Sequence, residues 1–128
     1  MTLSRDDILK QSVKLKRVEV EVEEWGGTVF ISEMNGTARD NWDQWIGGKA
    51  EGEMLENVRA RLVVLTAVDK DGNRLFRDAD VESVGGLSAK ALQKCFKVAQ
   101  QINGLTDDDL EDAKKNSETG PKGSSTSS

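Results

Sequence analysis

The first strong pattern along the chain is an alternation. Val18, Val20 and Val22 are separated by Glu19 and Glu21 and followed by Glu23 and Glu24. That is the period of two produced by a strand with one wet face. Trp25-Gly26-Gly27 interrupts it, and Thr28 to Ile31 resumes in β-branched and aromatic residues. Two such runs around a glycine pair predict an antiparallel β-hairpin. Upstream, Ser4 and Asp7 have capping-box spacing for a short helix within Ser4 to Gln11. Lys10, Lys14, Lys16 and Arg17 form a basic stretch that switches abruptly to the acidic strand.

Beyond the hairpin the period lengthens. Thr37, with Asp40 three residues on, opens a helix carrying Ala38, Trp42, Trp45 and Ile46 on one side, and Gly47-Gly48 ends it. Leu55, Val58, Leu62 and Leu65 lie at spacings of three, four and three. They predict a helix from about Glu51 to Val68. Val63, Val64, Thr66 and Val68 favour a strand over Leu62 to Val68, but length and the upstream stripe decide for helix. Asp71-Gly72 marks a tight turn, and Asp78 or Asp80 caps a short helix stopping at Gly85-Gly86. Ser88 caps a longer one, with Leu92, Cys95, Phe96, Ala99 and Ile102 on one face and Gly104 just past its end. Thr106 to Lys115 has acids first and lysines last, which suits a final helix. Residues 116–128 contain no hydrophobe, and a disordered tail is expected there. The fold class is therefore α+β: one domain over 1–115, an N-terminal antiparallel hairpin packed on three to four helices.

Composition narrows the chemistry. In 128 residues, 18 Lys and Arg stand against 23 Asp and Glu, a net charge of −5, which argues against a nucleic-acid partner held by phosphate contacts. There is no His, which excludes Ser-His-Asp and Cys-His nucleophiles and His-ligated metals. A single Cys excludes an intrachain disulfide and a four-Cys zinc site. The longest apolar run, Leu62 to Leu65, is far short of the roughly 20 residues that cross a bilayer. The opening residues MTLSRDDILK lack a secretory apolar region. No membrane role and no cofactor are expected.

The remaining candidate features favour bland readings. Glu19, Glu21, Glu23 and Glu24 form a solvated ladder, with nothing apolar on its water-facing side to raise a pKa. Asp69, Asp71, Asn73 and Asp80 fall at positions one, three, five and twelve of a calcium-type loop. Arg74 stands where the sharp bend needs Gly, and Asp80 where a bidentate Glu belongs. Turn and cap residues explain that segment. Cys95 lies on an apolar helix stripe with no His to activate it. An enzyme would have to work with Asp and Lys alone, so no enzymatic activity is expected. Binding is better equipped: Trp25, Trp42, Trp45 and Ile46 are the candidate partner-binding residues, because a small domain does not easily bury three Trp and exposed Trp anchors interfaces.

The order of features carries a resemblance. EWGGTVFI is followed by a Trp-bearing helix, then ENVRARLVVLTAVDKDGNRLF, then LQKCFKVAQQINGL and an acidic segment ending in KKN. Over roughly Glu19 to Asn116 the chain resembles the small tail assembly chaperones of long-tailed bacteriophages and prophages. The resemblance implies a non-enzymatic role in the host cytoplasm. Such proteins bind the tape measure protein, a long aggregation-prone helical chain, keep it soluble and help recruit the major tail protein, and they are absent from the mature virion. Many copies are needed to coat a long chain, which makes a homo-oligomer an expectation as well. The family often makes a longer product by a −1 frameshift, and the Lys114-Lys115 and Pro121-Lys122 pairs admit slippery codons for one. A structural tail-completion or head–tail joining protein is the alternative, and such a subunit would be found in purified particles.

Overall fold

The computed structural model describes residues 1–11, 15–48 and 57–105. The predicted last helix, the predicted tail and the start of the helix read from Glu51 lie outside the described residues. Helix α1 (Arg5–Leu9) is closed by the reciprocal pair the sequence predicts. The Ser4 hydroxyl accepts the Asp7 N–H, and the Asp7 carboxylate accepts the Ser4 N–H, each at 3.1 Å.

Strands β1 (Arg17–Val22) and β2 (Gly27–Ser32) pair antiparallel, Arg17 opposite Ser32 through Val22 opposite Gly27. Val20 and Val22 are buried and Glu19 and Glu21 exposed, as the alternation requires. The bend itself differs from the glycine-pair turn. Glu23–Trp25 make one 3₁₀ turn, and Gly26 alone takes a left-handed conformation, with φ 73° and its N–H on the Glu23 carbonyl at 3.0 Å. Gly27 is already strand.

Helix α2 (Gly36–Gly47) starts a residue earlier than Thr37, because Asn35 is its cap and accepts the Ala38 N–H at 2.8 Å. Helix α3 (Val58–Thr66) begins after Asn57, whose φ of 61° is left-handed and breaks any helix arriving from upstream. Within it Ala60 and every residue from Leu62 to Thr66 is buried, so the helix has no wet face at its C-terminal half. The Thr66 hydroxyl donates back to the Leu62 carbonyl at 2.7 Å. The chain then extends directly into β3 (Ala67–Val68), which pairs antiparallel with β2, Phe30 opposite Val68 and Ile31 opposite Ala67. The helix expected to run to Val68 ends instead at Thr66, and Ala67 and Val68, drawn into pairing with β2, complete a three-stranded sheet in the order β1-β2-β3.

A 3₁₀ turn at Asp78–Asp80 leads into α4 (Val81–Gly85), and α5 (Ala89–Ile102) follows, with the Ser88 hydroxyl accepting the Ala91 N–H at 3.3 Å. Ala91, Leu92, Cys95, Phe96 and Ala99 are buried and pack with Val20, Val22, Val29 and Ile31 from the sheet. The core thus lies on one face of the sheet, under α5, with α3 running through it. Asn103 locks the far end. Its side-chain oxygen accepts the Met34 N–H at 2.7 Å and its amide donates to the carbonyls of Ser32 and Ala99 at 3.3 and 3.0 Å.

The left-handed residue before α3 gives a direct check. Asn57→Gly is expected to leave stability near the wild-type value, whereas Asn57→Val is expected to cost about 1–2 kcal/mol, because a β-branched side chain is disfavoured at positive φ. Urea denaturation of the two variants measures the difference.

Candidate partner-binding surface

The structure divides the four residues singled out as partner-binding candidates. Trp42 is 1% exposed and Ile46 0%. Both are core residues and offer no contact surface, because the side of α2 that carries them faces the interior. Trp45 is half in: its ring lies 5.7 Å from that of Trp42, tilted by 38°, and the Arg61 guanidinium sits 5.0 Å from its centroid. Arg61 also donates to Asn41 at 3.3 Å. Trp25 is 36% exposed at the hairpin tip. The structure does not bring Trp25 and Trp45 onto one element; they sit in the hairpin's 3₁₀ turn and on α2.

The tip is held by charge as well as by packing. Glu24 lies 3.6 Å from the Lys94 ammonium, and its carboxyl is held below the usual range by its own backbone N–H first and by Lys94 after it. Lys90, Lys94 and Lys97 recur at four- and three-residue spacing and so share one side of α5. Glu19 and Glu21 of β1 are exposed on the sheet face opposite α5, and Glu23 is exposed in the turn. Further apolar side chains reach the surface that the sequence reading did not single out: Val18, Leu75, Leu87 and, on α1, Ile8 and Leu9. Val18 was legible in principle, as the outermost member of the alternating valines. Leu75 and Leu87 sit in turns, where periodicity carries no signal.

The polar groups elsewhere are engaged in building the fold. Asp69 accepts the N–H groups of Asp71 and Asn73 at 2.8 and 3.0 Å. Those bonds, the one from Asn73 first, hold its carboxyl below the usual range. Asp80 accepts the Arg77 N–H at 2.8 Å, and Asp78 pairs with Arg74 at 3.0 Å. Among the described residues no group of three or more His, Cys, Asp or Glu is placed to hold a metal ion. Cys95 is fully buried, and that burial pushes its thiol up to about 11. A cavity of about 270 Å³ opens between Ser32, Asn35, Arg74 and Asp78. Asn35 there caps α2, and Arg74 is bonded to Asp78 and to the Val64 carbonyl. No described helix is long and apolar enough to cross a membrane.

These features define a class: a small two-layer α+β domain whose three-stranded antiparallel sheet is covered by helices on one face. The same arrangement is found in the solved structure of the bacteriophage HK97 tail assembly chaperone. The two superpose with a TM-score of 0.55 over 74% of this chain and 96% of that one, at 22% identity. At that identity the likeness is one of fold, and the neighbour is a tail assembly chaperone, the family that the sequence resembles. No family model and no curated protein sequence matches the chain.

Two measurements follow from this geometry. Trp42→Ala is expected to cost about 3–5 kcal/mol in chemical denaturation, while Trp25→Ala leaves the unfolding midpoint within the error of wild type. Asp69→Ala is expected to lower the melting temperature most at neutral pH. A carboxylate with a depressed folded-state pKa stabilises above its unfolded value and loses that contribution as pH falls through the folded one. The wild-type advantage therefore shrinks on acidification, which a melting series against pH reads directly.

Proposed function

We propose that this chain is a tail assembly chaperone of a long-tailed phage or prophage. On this reading it binds the tape measure protein in the host cytoplasm, keeps that chain soluble, brings the major tail protein to it, and leaves before the virion is complete. The observation that carries the proposal is the likeness in fold to the HK97 tail assembly chaperone, which extends over 96% of that protein. The surface supports it. Trp25 and the partly exposed Trp45 offer aromatic contact area to a helical partner, and the net charge of −5 keeps a complex with an apolar chain dispersed. The mechanism is reversible binding: apolar segments of the partner are covered until tail subunits replace the chaperone, with no bond made or broken.

The test is co-expression with the neighbouring tape measure gene. The wild-type chain is expected to keep the tape measure protein in the soluble fraction and to be recovered with it on affinity capture. Trp25→Ala is expected to reduce recovery about tenfold with an unchanged melting temperature. A tape measure protein equally soluble and uncaptured in either case would overturn the proposal, as would recovery of this chain from purified particles by mass spectrometry.

A further inference from the structure

We infer that β1 is a docking edge for a second copy of this chain, forming an antiparallel β1–β1 seam across a two-fold axis at Val18. The inference stands on the geometry of the sheet and does not depend on the chaperone reading. Among the described residues β1 is an edge of the sheet and β2 is its neighbour. The Glu33 N–H donates to the Lys16 carbonyl at 2.9 Å, so the ladder to β2 uses the backbone groups of Lys16, Val18, Val20 and Val22. Those of Arg17, Glu19 and Glu21 therefore point outward from the sheet. An edge of this kind is a template for another strand unless its side chains forbid pairing.

The side chains here select one pairing. Val18 shares the core face with Val20 and Val22 yet is 41% exposed, whereas Val20 and Val22 are buried. Arg17, Glu19 and Glu21 lie on the opposite face, and none of them forms an ion pair with a described residue. The Arg17 guanidinium rests beside Gly72. Outward-facing residues must oppose one another when two such edges meet antiparallel, which leaves a short series of symmetric registers. Centring on Lys16 or Arg17 sets like cations face to face. Centring on Glu19, Val20 or Glu21 sets glutamates face to face.

Centring on Val18 alone puts Arg17 opposite Glu19 of the second copy, twice, with Glu21 of the second copy diagonal to each Arg17. Val18 then meets Val18 in a non-hydrogen-bonded pair, the position where side chains approach closest. The basic-to-acidic switch in the sequence is thus self-complementary when reversed. The product is a closed, isologous dimer with a continuous six-stranded sheet. Val18 faces Ile31, near the sheet end to which Asn103 ties α5, so the C-terminal ends of the two α5 helices flank the axis.

Sedimentation equilibrium of the full chain over a concentration series tests this. Wild type is expected to show a monomer–dimer equilibrium. Arg17→Glu and Glu19→Arg are each expected to weaken it about tenfold or more, and the two combined to restore it, because the reversed charges again face their opposites. All three side chains at the axis are exposed, so circular dichroism should be unchanged. In parallel, Val18→Cys should form a disulfide-linked dimer under air oxidation while Glu21→Cys does not, and the buried Cys95 does not compete. A chain that stays monomeric throughout overturns the inference. So does a dimer indifferent to both single charge reversals, or a cross-link at Glu21→Cys as fast as at Val18→Cys.

Discussion

The fold depends on one short helix whose C-terminal half is buried on all sides. From Leu62 to Thr66, five consecutive residues of α3 are removed from water. Each large aliphatic side chain among them contributes about 1.5–3 kcal/mol to folding. A helix with no wet side at that end needs neighbours around it, and α2, α4, α5 and β2 supply them. The hydroxyl of Thr66 turns back onto the Leu62 carbonyl, so even the polar residue in this run is satisfied internally. Because the chain passes from α3 into β3 without a loop, the placement of the helix also fixes where the third strand meets β2.

This same helix explains what could and could not be read from the sequence. The hairpin was legible because its valines and glutamates alternate against a half-buried sheet, and α5 because its apolar stripe faces one layer. Helix α3 follows neither rule. Buried all round in its C-terminal half, it shows a run of Leu and Val that periodicity cannot assign, and of the expected stripe Val58, Leu62 and Leu65 mark only one of its sides. Its start was illegible for a different reason. Asn57 stops the helix through a backbone conformation, and an Asn among charged residues does not announce a positive φ. The two-residue β3 has no pattern of its own and exists because β2 offers it an edge.

The candidate surface was legible to a lesser degree, and the cause is again geometric. Trp42, Trp45 and Ile46 lie close together in sequence, and nothing in their spacing tells which side of α2 looks inward. The answer comes from α3, against which Trp42 and Ile46 are packed while Trp45 is left at the margin beneath Arg61. Trp25 escapes burial because the 3₁₀ turn lifts it to the tip of the hairpin, where the Glu24–Lys94 contact steadies it against α5. Charge is sorted by element: acids along β1, lysines along one side of α5.

The Asn103 clamp bears on the order of events at the ribosome. It joins residues 71 positions apart, and the helix ending there also covers the core face of the hairpin. At 5–20 residues per second, the interval between emergence of the hairpin and completion of its lid is roughly 4–14 s. During that interval Val20, Val22, Val29 and Ile31 have no roof. A nascent chain of this design is at its stickiest between synthesis of the hairpin and synthesis of α5, and α5 is the piece that ends the exposure.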